Sequence, residues 1–362
     1  MHAGLDALVR RATTQPVTPP VAADDEAFLA AKGRAKVAFR LLRRQLEVAL
    51  SGQRPHECAR IEPAWRRALW IHAEAPQIGD ALMDLAPRSL LAERGIAVDL
   101  LAPASIAPLF AGDLLFGHVF ADPGEARGHA YDFAIVDSRC WKALKRKREA
   151  WPTLPWVSVK GDYLPYDYHR ALLATRRLAA LLDVRLDAEA EAGHARQKLV
   201  LRDESASPSP SLRRQVALAL GGVRAERTYD RWPDVAAGLH AGGVDRFVLL
   251  GSGNGRAMAE AVRRSLPEDC CTDLVARTDL HTTRVAMAES SLVLAADGGL
   301  MHLALTTPTP VVALFDVSID PAWRLPPDFV GRALRAGTRD VNALDAADVV
   351  AAALALLPQP PE

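Results

Sequence analysis

SLVLAADGGLMHLALTTPTPVVALF, residues 291–315, sets two apolar runs on either side of an Asp-Gly-Gly turn and a helical segment barely two turns long. Each run is short and bounded by turn residues, so each reads as a buried strand. Strand, helix and strand in that order make a crossover, the connection that parallel strands require. The same punctuation recurs along the chain. ALWIHA (68–73), a helical period over 80–94, AVDLLA (97–102) and DFAIVD (132–137) form one series. After a polar helical stretch at 183–197 come KLVLR (198–202), RFVLLG (246–251), SLVLAA (291–296) and VVALF (311–315). Alternation of this kind predicts an α/β protein with two Rossmann-like units in tandem.

Length agrees with two cores. The chain has 362 residues, 49% of them hydrophobic, and a single core rarely grows far past about 200 residues. Its 44 basic residues balance 44 acidic ones, so no overall field draws it to nucleic acid, and an anionic partner must meet a local patch. Cys58, Cys140, Cys270 and Cys271 contain no CxxC pair, and vicinal cysteines seldom bridge each other, so a reducing, cytoplasmic setting is expected. No signal peptide is expected at Met1, and no apolar run approaches the roughly 20 residues of a membrane span.

Residues 1–24, rich in Thr, Pro and Ala, read as an arm without packing. From 25 to 50, Phe28, Ala31, Ala35, Phe39, Leu42, Leu46 and Leu50 fall three or four apart, among Lys32, Arg34, Lys36, Arg40, Arg43 and Arg44. This is a basic amphipathic helix. It can pack its apolar stripe on the next domain with its arginines solvated, or it can attach to an anionic membrane surface. DAADVVAAALALL (345–357) reads as a closing helix.

In open parallel sheets ligands sit beyond the carboxyl ends of strands, where a helix begins. Asp297, Gly298 and Gly299, followed by Met301 and His302, occupy such a place. They can form a ligand site, or Asp297 can simply cap the helix while His302 packs. LLGSGNGRAMAEA (249–261) carries a GxGxG spacing instead of GxGxxG and reads as a tight turn. WKALKRKREAW (141–151) concentrates Lys142, Lys145, Arg146, Lys147 and Arg148. It is either a solvated helix face or a patch for phosphate or carboxylate groups. HExxH, GxSxG and Walker patterns are absent from the sequence, as is a Cys/His ligand cluster.

DGGLMHLALTTPTPVVALF resembles the signature of the glycosyltransferase family 9 heptosyltransferases, Asp-(Thr/Ser)-Gly-x-x-His-Leu-Ala followed by a proline and an apolar strand. The resemblance extends through LVARTDLHTTRVAMAESSLVLAA (274–296) and DVSIDPAW (316–323), and to ALWIHAEAPQIGDALMDLAPRSLLAERG (68–95). It covers about 66–357. It implies a GT-B fold, two Rossmann-like domains facing a cleft, here with an added N-terminal helical extension. The corresponding domains are an arm and helix at 1–64, an acceptor domain at 65–185, a nucleotide-sugar domain at 186–340 and a closing helix and tail at 341–362.

By resemblance, Asp80 is the catalytic base beside Gly79. Asp297, Gly298, Gly299, Met301, His302, Arg227 (or Arg224) and Ser205 bind the donor, and Lys142, Lys145, Arg146 and Arg148 bind the acceptor. No metal and no cofactor are implied. The donor is a nucleoside-diphosphate sugar, ADP-heptose in the family, and the acceptor a glycan or an anionic lipid-linked molecule such as lipopolysaccharide core. The expected location is cytoplasmic, with peripheral contact at the inner membrane face. Two features depart from the family pattern. Gly298 stands where a hydroxyl residue is usual, and RDESAS (202–207) replaces a His-Pro-Gly turn, bringing Asp203 and Glu204 with Ser205 and Ser207. They leave open a silent nucleotide-sugar-binding or scaffold homologue, and a GT-B epimerase remains a further alternative.

Overall fold

In this computed structural model the described residues are 33–73, 76–160, 169–202 and 214–357, with Gly4 and Ala7 besides. The chain divides into two compact units, Met1–Arg202 and Asp203–Glu362. The first holds a parallel sheet of β1 (Arg67–Ile71), β2 (Ala97–Leu101), β3 (Val119–Phe120), β4 (Phe133–Val136) and β5 (Trp156–Ser158), ordered β3-β2-β1-β4-β5. The second holds β6 (Gln215–Ala219), β7 (Arg246–Leu250), β8 (Cys271–Asp273), β9 (Leu292–Ala296), β10 (Val311–Phe315) and β11 (Gly331–Arg335), ordered β11-β10-β9-β6-β7-β8. All pairings between named strands are parallel. Each order reverses once, between β1 and β4 and between β6 and β9, which are the switch points of the two Rossmann-like sheets.

The central strands are buried on both faces, as β1 (Leu69, Trp70, Ile71), β4 and β10 illustrate. This is why they appear in the sequence as continuous apolar runs. Four elements depart from expectation. The helical period over 80–94 is interrupted into Ile78–Asp84 and Arg88–Glu93, because Pro87 between them lacks an N–H and disfavours the helical conformation of its predecessor. KLVLR forms no named strand, and Leu201 makes only an isolated antiparallel bridge to Asp113. The second sheet instead begins at QVALA, β6. The polar stretch supplies the helix Ala188–Ala195, capped by Asp187. Its Glu191 pairs with Arg176, and its His194 Nδ1 lies 2.9 Å from Ser89 Oγ. Residues 186–202 are therefore held by the first unit, and the expected boundary at 185/186 lies inside it.

The fourth departure is the helix Arg34–Leu50, which packs on the helix Trp141–Ala150. Its buried side is Val37, Ala38, Leu41 and Val48. Phe39, Leu42, Leu46 and Leu50 of the expected packing stripe are exposed. Phe28 and Ala31 lie outside the described residues. The closing helix, Ala346–Leu354, starts from an Asp345 cap and packs on Trp232–Ala241, where Gly238 admits Val350 closely. Among the described residues no helix is long and apolar enough to cross a membrane.

Candidate active site

At the switch point of the first sheet the apolar strands end in charged residues. His72 follows β1 and Asp137 follows β4. His72 Nδ1 lies 2.7 Å from Asp137 Oδ2, and Trp70 Nε1–H and the Ala73 N–H donate to the same carboxylate at 3.0 and 3.2 Å. Burial works against protonation of His72, but the Asp137 carboxylate outweighs it, so the imidazole pKa is raised. The helix Ile78–Asp84 starts just beyond β1 and carries Asp80 and Asp84 four residues apart, hence on one side.

One residue ties these carboxylates together. Arg170, at the start of the helix Arg170–Leu181, donates to Asp84 through Nε at 2.5 Å and Nη2 at 2.7 Å, and its Nη1 meets Asp80 Oδ1 at 2.8 Å. Lys160 Nζ lies 2.7 Å from Asp84 Oδ2. Burial alone would raise the Asp84 pKa, yet Arg170 and Lys160 together hold it well below the usual carboxylate range. Asp84 is thus a buried anchor, whereas the Asp80 side chain is 32% exposed and open to a substrate. Gly79 is buried at the same helix start.

The second sheet shows the same design with other residues. Asp297 follows β9, Asp316 follows β10, and the turn Ala225–Arg227 belongs to the connection after β6. Arg227 Nη1 lies 3.2 Å from Asp297 Oδ2 and its Nε 3.4 Å from Asp316 Oδ2. His302, in the short helix Gly299–Ala304, places Nε2 3.9 Å from Asp297 Oδ1. Both aspartates are buried and Arg227 is half-buried, so the carboxylates hold a cation whose remaining edge faces outward. The sequence-predicted residues Asp297, His302 and Arg227 are brought together; Arg224, the alternative, only caps that turn through its backbone.

Gly298 has φ 177° and ψ −176°, extended backbone that any residue adopts, and a Cβ there would meet Ala296 O at an ordinary 3.7 Å. A side chain is therefore sterically admissible at that position. Met301, in the same short helix, has its side chain fully buried. Ser205 lies outside the described residues. The GxGxG turn is a packing device, as a Cβ on Gly251 would come within 2.6 Å of Leu220 O, while Asn254 Nδ2 donates to Gly222 O at 2.7 Å.

Lys142 and Lys145 are exposed on the helix Trp141–Ala150, Arg146 donates to Ala121 O at 2.8 Å, and Arg148 lies over the Trp141 ring. Among the described residues none of these four is bonded to Asp80. Lys147 is buried against Gln53 Oε1 at 2.6 Å, and burial pushes its pKa down to about 8.

Arg170, Asp84, Lys160, His72, Asp137 and Asp316 are not anticipated from the sequence. The available signal was a polar residue closing an apolar strand, as in WIH (70–72), IVD (135–137) and LFD (314–316). Arg170 carried no such mark.

Two parallel sheets in Rossmann order, each with charged residues at its switch point, define an α/β protein of the GT-B type. Residues 156–327 match the family model of glycosyltransferase family 9 (heptosyltransferase). The fold is similar to the glycosyl transferase family 9 protein from Veillonella parvula, with a TM-score of 0.65 at 13% identity, covering 82% of this chain and 98% of that one. It is also similar to the E. coli ADP-heptose LPS heptosyltransferase II, with a TM-score of 0.58 at 17% identity, covering 80% and 98%. A 70-residue segment is 33% identical to lipooligosaccharide heptosyltransferase 2 of Haemophilus influenzae, 18% of this chain and 20% of that protein. The chain thus matches about a fifth of that curated relative's length.

Proposed function

We propose that the protein is an inverting, metal-independent glycosyltransferase. It moves a sugar, heptose by analogy with its relatives, from a nucleoside-diphosphate donor to a glycan or lipid-linked acceptor such as lipopolysaccharide core. The observation that carries this reading is Arg227, held by Asp297 and Asp316 beside His302 at the switch point of the second sheet. A guanidinium fixed in this way suits a diphosphate.

In the proposed step Asp80 accepts the proton of an acceptor hydroxyl as that oxygen attacks the anomeric carbon. The bond from that carbon to the donor phosphate oxygen breaks, and its electron pair leaves with the nucleoside diphosphate. Arg227 stabilises the departing anion, a task for which a side-chain cation serves in place of a divalent ion. At the donor site Asp297, whose carboxylate would itself repel a diphosphate, serves to orient Arg227 and His302. Arg170 fixes the direction of the Asp80 carboxylate. A cytoplasmic site of action, and acceptor-side contact with an anionic lipid, belong to the same reading.

The test is a transfer assay with a panel of nucleoside-diphosphate sugars and lipid-linked acceptors, with and without EDTA, with the product anomer read by NMR. An inverted product formed equally well in EDTA is expected. Loss of turnover in EDTA, retention of configuration, or nucleotide binding without turnover across the panel would each overturn the corresponding part. His302→Ala should weaken nucleotide binding by calorimetry, and an unchanged affinity would remove His302 from the site.

A further inference from the structure

The helix Arg34–Leu50 has two apolar sides. Val37, Ala38, Leu41 and Val48 are buried, with Val48 in the same core as Leu69, Ile71 and Trp156. On the opposite side Phe39, Leu42, Leu46 and Leu50 are 66%, 48%, 51% and 73% exposed. Steps of three and four residues align these four along one face. Single exposed apolar residues are ordinary, whereas a contiguous stripe along a whole helix marks an interaction surface.

The flank of the stripe selects the partner. Lys36, Arg40, Arg43 and Arg44 follow one side of it, and the only acid of the helix, Glu47, is taken by Arg43 at 2.8 Å and Arg44 at 3.0 Å. The Trp141 backbone N–H donates to the same Glu47 at 3.1 Å. This brings in the adjoining helix, with Trp141 42% exposed and Lys142 and Lys145 in solvent. An apolar stripe beside a basic row and an interfacial tryptophan is complementary to an anionic lipid surface, where acyl chains take the stripe and headgroups take the cations. A second copy of the chain fits less well, since a two-fold interface would set this basic row against itself.

We propose that the helix Arg34–Leu50 lies in the headgroup plane of an anionic phospholipid bilayer. Phe39, Leu42, Leu46 and Leu50 enter the acyl boundary, and Lys36, Arg40, Arg43 and Lys142 engage the headgroups. The choice of a bilayer rests on the lipid-linked acceptor of the proposed function, and its effect is to hold the unit that carries Asp80 at a membrane surface.

The test is co-sedimentation of the full chain with vesicles containing phosphatidylglycerol, and with vesicles of phosphatidylcholine alone. Binding to the anionic vesicles, weakened by high salt, is expected. The double variant Phe39→Asp, Leu46→Asp should lose about tenfold or more of it while its Tm and nucleotide affinity stay unchanged, because both side chains are exposed. Equal binding to both vesicle types, or full binding by the double variant, would overturn the proposal. So would a dimer in vesicle-free solution, by analytical ultracentrifugation, that the double variant dissociates. None of these readings uses turnover, so their failure and failure of the Asp80 assignment are separately visible.

Discussion

Arg170 holds Asp80 at 2.8 Å with one nitrogen while two others clasp the buried Asp84. The partly exposed carboxylate is thus held by a guanidinium that is itself anchored on buried Asp84, and Lys160 also pairs with Asp84. The arrangement separates two environments on one helix, Asp84 fully buried and Asp80 partly exposed, and it is Asp80 to which the proposed function assigns the proton transfer.

Removal of Arg170 leaves Asp84 buried with Lys160 and without its two guanidinium bonds. Breaking a buried pair from one side costs about 3 kcal/mol or more, so Arg170→Ala should lower the Tm of the first unit by several degrees. Arg170→Lys keeps the charge but not the fork, and should fold with a lower kcat and a nearly unchanged nucleotide affinity. Thermal unfolding together with steady-state kinetics on both variants checks this, and a wild-type kcat for Arg170→Lys would remove the positioning role.

Arg227→Ala should weaken nucleoside-diphosphate binding by about tenfold to a hundredfold, the range of a charge-assisted hydrogen bond. It also leaves Asp297 and Asp316 without the cation between them. Isothermal titration with ADP tests it, and an affinity within twofold of the wild type would place the diphosphate elsewhere.

Gly298→Thr supplies a hydroxyl at a position whose backbone is extended and whose Cβ direction is clear. The variant should unfold within about a degree of the wild type and bind ADP at least as tightly. A marked fall in Tm would show that a close neighbour fills the space.

Stability should depend on pH from two sides. Asp84 titrates below the usual carboxylate range because, against the effect of burial, Arg170 and Lys160 favour its charge. Its contribution is present above the unfolded pKa of about 3.9 and is lost as pH falls through the folded value. His72 titrates above its usual value because, again against burial, Asp137 favours the imidazolium. Its contribution is complete below the unfolded pKa of about 6.5 and is lost as pH climbs through the folded value. Calorimetry across this span should show His72→Gln flattening the alkaline fall in Tm while leaving the acid limb in place. An unchanged alkaline slope would exclude His72 as its source.

The sequence displayed the buried strands well, because Leu69 to Ile71, Ala134 to Val136 and Val311 to Phe315 are apolar on both faces and their runs are unbroken. It displayed poorly whatever depends on distant partners. KLVLR is apolar enough for a strand, yet in the fold it joins no sheet: Leu201 makes an isolated bridge to Asp113, and Val200 O accepts from the Leu114 N–H. The Arg34–Leu50 helix was legible as amphipathic, but its more conspicuous stripe faces solvent and the smaller Val37, Ala38, Leu41 and Val48 face the core. Asp297 and His302 stand out in the sequence through the motif they share, and Arg227, offered there beside Arg224, lies next to Asp297 in the fold. Arg170 does not stand out, because its meaning comes from Asp80 and Asp84, about 90 residues away, through geometry that no local spacing records.

Transfer by Asp80→Asn, measured with ADP-heptose and a lipid-linked acceptor beside its affinity for ADP, bears most directly on the proposed chemistry. The amide keeps the size of the carboxylate and cannot take a proton, so turnover should fall by about a hundredfold or more while ADP affinity stays within a few-fold. Turnover near that of the wild type would contradict a catalytic role for Asp80 and leave the first unit's charged cluster as scaffold.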